Sequence, residues 1–213
     1  MRLYDISKTI SEDMVVYKNK ESKKIRRNVV ANHAENGYHE SRIDMDMHCG
    51  THMDAPLHML DGGATIESLE LRRFLGDCKL YDLTHIEEKI FERDIAHLDI
   101  AAGDRVLLKT RNSFDTAYNP RFVYLEEEAA QYLVRKGIQC LGIDAMSVER
   151  DKPGHPTHKI LLGAGIGVLE DLQLKDVPQG RYFLSALPLK IQGADASPIR
   201  AVLMDIAPGQ RPV

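Results

Sequence analysis

The stretch Met47-His48-Cys49-Gly50-Thr51-His52-Met53-Asp54-Ala55-Pro56-Leu57-His58 places three of the nine histidines and a carboxylate within eleven residues. Imidazole nitrogen and carboxylate oxygen are common ligands of zinc and related divalent ions. A site built from them with one position open activates water for hydrolysis. Four such groups beside a glycine point to a metal site rather than to four unrelated structural side chains. Spacing alone does not say which of them bind. If His48, His52 and Asp54 do, a position remains for water and His58 is left as a nearby base.

The backbone has to bring these groups together. From His39 onward Ile43, Met45 and Met47 alternate with Arg42, Asp44, Asp46 and His48, the period of a half-buried strand whose polar face looks toward a cleft. On a straight strand His48 and His52 would stand roughly 13 Å apart, too far to share an ion. Gly50, Thr51 and Pro56 are poor helix material. We therefore expect a sharp kink at Gly50, which can adopt backbone angles closed to other residues. Pro56 then stiffens the segment that carries Asp54 and aims His58.

Around this centre, Leu3–Ile6 and Met14–Tyr17 read as short strands, with a loop between them. The basic run from Lys18 to Arg27 reads as a solvated edge. Thr65 is placed to cap a helix through about Leu75 that would bury Ile66, Leu69 and Phe74 and end at Gly76. Strands follow at Cys78–Leu83 and Asp104–Thr110, the latter entered through Gly103. Leu125, Ala129, Tyr132 and Leu133 recur at helical spacing, with Glu126 to Glu128 at the positive end and Gly137 as the cap. The apolar run Ile138–Asp144 is then a buried strand, and strand, helix, strand in succession argues for α/β architecture with a parallel pair. Asp151–Thr157 reads as a loop, and Val168–Leu172 as a helical or turn segment. Two last strands are expected around Arg181–Leu187 and Ile199–Ile206.

Composition narrows the class. A chain of 213 residues, 43% apolar and 28% charged, suits one globular domain over residues 1–213. A formal net charge of -4 gives no basic bias toward nucleic acid, which leaves a small molecule as the expected partner. There is no signal-like start and no apolar window of bilayer length, so we expect a soluble, cytoplasmic protein with no membrane partner. Cys49, Cys78 and Cys140 are widely spaced with no C-x-x-C pair, which argues against a disulfide framework. Cys78 and Cys140 read as core residues, and Cys49 as a small packed residue rather than a nucleophile. The glycines at 163, 165 and 167 lack the further glycine that a dinucleotide loop would need at Val168.

The pattern His48-x-Gly50-Thr51-His52-x-Asp54-x-Pro56-x-His58 resembles the signature of the cyclase-like metal-dependent hydrolases, the family that includes bacterial kynurenine formamidase and isatin hydrolase. The resemblance extends to Gly142-Ile143-Asp144, to His158 and Glu170, and to Gly193-Ala194-Asp195-Ala196-Ser197-Pro198-Ile199-Arg200. It implies a swivelling β/β/α fold with a mixed sheet. It also implies that His48, His52 and Asp54 bind one metal and that Asp54 bridges to a second held by His158 and Glu170, with His58 as proton donor and acceptor. Twelve positions apart on one helix, His158 and Glu170 would lie roughly 18 Å from each other. The intervening glycines permit the chain to turn back.

The activity implied by the resemblance is hydrolysis of an amide-type C–N bond, in an aryl formamide such as N-formylkynurenine or a cyclic amide such as isatin. Metal-activated water would attack, with a histidine base. Zinc is the expected ion and manganese the alternative, with one or two ions per chain, and a homodimer or higher homo-oligomer is the expected assembly. The alternative from another class is a non-catalytic metal- or small-ligand-binding protein on the same scaffold. Kynurenine formamidases of the family carry an aromatic, usually tryptophan, near the N-terminus before Pro-Gly-Asp. This chain has no tryptophan. Tyr17, followed by Lys18-Asn19-Lys20, takes the comparable place and is the candidate substrate contact. Gly142-Ile143-Asp144 also runs into Ala145-Met146-Ser147 instead of Thr-Pro-Ser.

Overall fold

The computed structural model describes residues 1–205. In chain order the strands are β1 (Arg2–Asp5), β2 (Arg26–Ala31), β3 (Glu40–Asp44), β4 (His52–Asp54), β5 (Leu75–Asp82), β6 (Lys89–Ile90), β7 (Arg105–Lys109), β8 (Tyr124–Leu125), β9 (Cys140–Ile143), β10 (Gly167–Glu170), β11 (Gly180–Ser185), β12 (Ala196–Pro198) and β13 (Val202–Asp205). The helices are α1 (His33–Asn36), α2 (Glu92–Ile95), α3 (Glu127–Lys136) and α4 (Pro156–Gly163). The main sheet runs β1-β13-β11-β5-β7-β9-β10-β4-β12. Its centre, β5 to β10, is parallel, and both flanks are antiparallel. The architecture is thus mixed α/β, and the expected parallel pair is β7 with β9. Among the described residues no helix is long and apolar enough to cross a membrane.

The central strands are buried on both faces, which is why they read as continuous apolar runs. Val106, Leu108, Leu141, Ile143 and Val168 point to one face, where they pack with Leu133 of α3 and Leu161 and Leu162 of α4. The alternate residues Leu107, Cys140 and Leu169 point to the other and pack with Ile6, Ile66, Phe74 and Leu172. Full burial of each such aliphatic side chain contributes about 1.5–3 kcal/mol before conformational entropy is charged against it. The same alternation governs β4, where Met53 joins the second face and His52 and Asp54 are left on the first.

Helix α3 ends as expected, with Gly137 in the left-handed region donating its N–H to the carbonyls of Leu133 and Val134. Several other expectations need correction. Met14–Tyr17 forms no strand. Val16 is extended, and Tyr17–Asn19 is a 3-10 turn with Lys18 and Asn19 at φ 58° and 49°. The alternating stretch after His39 is not a half-buried strand running to His48. It stops at Asp44, pairs with β2, and leaves Ile43 half exposed because no described residue covers its apolar face.

The expected helix over 65–75 is two 3-10 turns, Ile66–Ser68 and Leu71–Phe74, with no side-chain cap from Thr65. The Arg105 guanidinium, reaching over from β7, binds the carbonyls of Arg72, Arg73 and Asp77, so tertiary contact outweighs local helix preference there. Gly76 lies within β5 instead of ending a helix. Val168–Leu172 is no helix or turn at its start, since Val168 to Glu170 belong to β10, hydrogen-bonded on both sides. A short apolar run does not reveal such pairing by periodicity. The loop from Asp151 ends early because Pro156 opens α4 at its first helical position. Among the described residues three strands, β11, β12 and β13, lie from Gly180 onward where two were expected, and Ile206 of the last expected one lies outside the described residues.

Candidate metal centre

Gly50 makes the turn that the spacing demands, at φ 66°. Its carbonyl oxygen then accepts from His52 Nδ1 at 2.8 Å. A carbonyl can only accept, so Nδ1 carries a proton and Nε2 is the nitrogen that a metal would take. The bend also brings the rings of His48 and His52 to 5.2 Å between centroids, in place of the separation a straight strand would impose. Pro56 opens a 3-10 turn through His58, which stacks at 3.9 Å on the ring of His48.

The second half of the site arrives by strand pairing. Glu170 stands directly across from His52 in the β4–β10 ladder, so both side chains project from the same face. His158 comes from the first turn of α4, which packs over that face. Its Nε2 lies 3.1 Å from Glu170 Oε1 and 3.6 Å from Asp54 Oδ2. The chain does turn back between these two residues, from helix to strand.

Asp54 is central and fully buried. His48 Nδ1 is 3.0 Å and His52 Nε2 3.5 Å from its Oδ1, and His52 Nε2 is 3.3 Å from Glu170 Oε2. Yet His52 Nε2 and both Asp54 oxygens have no hydrogen-bond partner of proper geometry. Buried polar atoms are rarely left so, and these orphans on β4, facing His158 of α4 and Glu170 of β10, fit a cation between them. Donor atoms of His52, Asp54 and Glu170 lie within 4.8 Å of one another, as do those of His48, Asp54 and His58, and those of Glu149, His155 and His158.

Burial disfavours charge on every group here, and the neighbours decide the outcome. Against that burial, Asp54 and Glu170 hold His52 well above its ordinary value, and Glu149 and Glu170 hold His158 up to about 10. Against the same burial, the surrounding imidazoles hold Asp54 well below the usual carboxylate range, and His158 and His52 lower Glu170. Burial dominates at His58, which is lowered. Without metal, then, His52 and His158 hold protons against ionised carboxylates, and a divalent cation would replace those protons.

Two carboxylates were missed in the sequence. Asp195 Oδ2 is 2.9 Å from His48 Nε2 and 3.7 Å from His58 Nδ1. It stands in the stretch Gly193 to Arg200, which was the available signal. Glu149 contacts His158 and His155 through Oε1, and no spacing rule marks it. Asp144, by contrast, stays outside the cluster. Burial pushes its carboxyl up to about 6, and Thr110 and Ser113 each donate to it through backbone N–H and hydroxyl.

Cys49 packs among Val16, Ile25 and Met14, and burial raises its thiol, so it offers no thiolate. A cavity of about 430 Å³ opens over the cluster, with His58, His158 and Glu170 on its floor and Tyr17, Lys20 and Met146 on its walls. Tyr17 is half-buried there and its hydroxyl donates to Asp151 at 3.3 Å.

A mixed sheet with histidine and carboxylate donors gathered on one face defines a class, the α/β proteins with a divalent-metal centre beneath an open cavity. Comparison with known proteins places the chain within that class. It belongs to the Cyclase family, whose profile matches residues 4–150. It is 36% identical over 208 residues to a kynurenine formamidase of Salinibacter ruber, spanning 96% of this chain and 98% of that one. A solved structure named as a potential metal-dependent hydrolase with cyclase activity superposes with a TM-score of 0.91 at 52% identity, over 97% of this chain and 99% of the other. Isatin hydrolase A from Labrenzia aggregata shares the fold, with a TM-score of 0.82 at 23% identity over 95% of this chain and 93% of that one.

Proposed function

We propose that the chain is a metal-dependent hydrolase of non-peptide C–N bonds, acting on an aryl formamide such as N-formylkynurenine or on a cyclic amide such as isatin. The observation that carries this reading is the pair of donor sets meeting at Asp54 beneath a cavity, with His58 at the cavity floor. His48, His52 and Asp54 would hold one ion, and Asp54, His158 and Glu170 a second. Nitrogen and carboxylate donors suit zinc best and admit manganese. When bound, such an ion lowers the pKa of coordinated water toward neutrality and polarises a carbonyl oxygen.

The chain's own residues supply the rest. His58, a quarter exposed on its side chain, faces the cavity. It takes the proton of the attacking water on a ring nitrogen and returns it to the departing amide nitrogen. Asp195, within reach of both His48 and His58, keeps the two rings in register. Tyr17 forms the wall against which an aromatic substrate would lie. Support for an amide substrate comes from the named activity of the formamidase relative.

A homodimer is the proposed assembly. It is supported by the β2–β3 hairpin, where Val29, Val30, Tyr38 and Ile43 are all about half exposed.

The test is turnover of N-formyl aromatic amines, isatin and simple lactams and lactones by zinc- or manganese-loaded protein. Hydrolysis of a formamide or of isatin is expected. Tight metal binding with no turnover across the panel would contradict catalysis and leave the non-catalytic binding protein.

A further inference from the structure

The pairing of His158 with Glu170 is arranged by two consecutive residues in the loop after β9. Val148 donates its backbone N–H to Glu170 Oε1 at 2.6 Å. Glu149 is 2% exposed, and its Oε1 lies 2.7 Å from His158 Nδ1 and 2.9 Å from His155 Nδ1. Its Oε2 accepts from the backbone N–H of Thr157 at 3.0 Å. An ionised carboxylate only accepts, so His158 Nδ1 carries a proton, and a metal would take the place of any proton on Nε2. Nε2 is then the electron-pair donor, turned toward Glu170 and Asp54.

We propose that Glu149 is a positioning residue for the second metal ion. Its carboxylate fixes the tautomer and ring orientation of His158, while Val148 holds the facing oxygen of Glu170. The proposal rests on His158 and Glu170 being metal ligands. Glu149, His155 and His158 also bring donor atoms within 4.8 Å of one another. They do not form a ligand set of their own, because His158 Nδ1 is spent on Glu149 and Glu149 Oε2 on Thr157. Glutamine at 149 would lose the charge and could not satisfy the histidines and Thr157 together, since only one of its terminal atoms accepts.

Zinc titration of the whole protein against a competing chromophoric chelator tests this. Wild type should take up two ions. Glu149→Gln should weaken one of them about 10- to 100-fold, the usual effect of removing a carboxylate behind a metal-bound histidine, and leave the other within about twofold. Long-range nitrogen NMR of zinc-loaded wild type should show the His158 proton on Nδ1, a readout that needs no variant. His155→Ala should keep both affinities.

Two unchanged affinities in Glu149→Gln, or a His158 proton on Nε2, would overturn the proposal while leaving the metal site intact. Loss of an ion in His155→Ala would overturn it in favour of a separate ligand set. Absence of zinc binding in wild type would overturn the metal site itself.

Discussion

In the proposed function, His58 is the residue on which catalysis, as distinct from metal binding, would depend. His48, Asp54 and His58 bring donor atoms close enough to be read as ligands, so its role as base has to be separated from ligation. Substituting His58→Ala should leave metal content nearly intact and lower kcat by about 100-fold or more, the lower end of what general acid–base catalysis contributes. Loss of an ion together with activity, measured by elemental analysis beside kinetics, would reassign it as a ligand. At this scale most of the site was legible in the sequence. His48, His52, Asp54 and His58 are close in the chain, and their spacing is distinctive. Asp195 stood in the matching stretch Gly193 to Arg200 with nothing there to give it a role, and Glu149 was marked by no spacing at all, because a carboxylate packed behind a histidine is placed only by the fold.

The elements hold the site through two close backbone approaches. Gly167 opens β10, and a Cβ there would stand 2.1 Å from Phe74 Cε1. Gly167→Ala should therefore destabilise the fold by about 3 kcal/mol, the upper end for overpacking, and loosen the strand that carries Glu170. A lowered urea midpoint at unchanged slope would show it, and a midpoint equal to wild type would contradict it. Gly50→Ala meets two penalties, the left-handed backbone at about 1–2 kcal/mol and a contact of 3.0 Å with Met14 Cε.

The bend at Gly50 could be inferred from the distance argument alone, since no straight strand lets His48 and His52 meet. The strand character of Val168–Glu170 could not. Three apolar or acidic residues after a glycine fit helix or strand equally, and the choice was made by β4 and β9 on either side. In the same way the apparent helix over 65–75 was dispersed by Arg105, a residue about thirty positions away in the chain, whose bonds local preference cannot register.

For the molecule as a whole, metal and protons compete for one cluster. Burial alone would lower His52 and His158, but the carboxylates around them raise both, His158 to about 10 against an ordinary 6.5. Each therefore holds its proton more tightly when folded. The stability this contributes to metal-stripped protein is complete below pH 6.5 and drains away as pH rises toward about 10. Metal-loaded protein has no such protons to lose, so the gap in Tm between loaded and stripped samples should widen from pH 6.5 upward. A gap that narrows over that range would contradict the reading. The half-exposed hairpin makes a further prediction, that Val29→Lys combined with Ile43→Lys halves the mass measured by light scattering; a monomeric wild type would refute the dimer. The central claim is that Asp54 joins two donor sets around divalent metal, and metal content per purified chain tests it most directly. Wild type should carry between one and two ions and Asp54→Asn far fewer than one. Less than one ion per wild-type chain after metal supplementation, or full loading of Asp54→Asn, would contradict the claim.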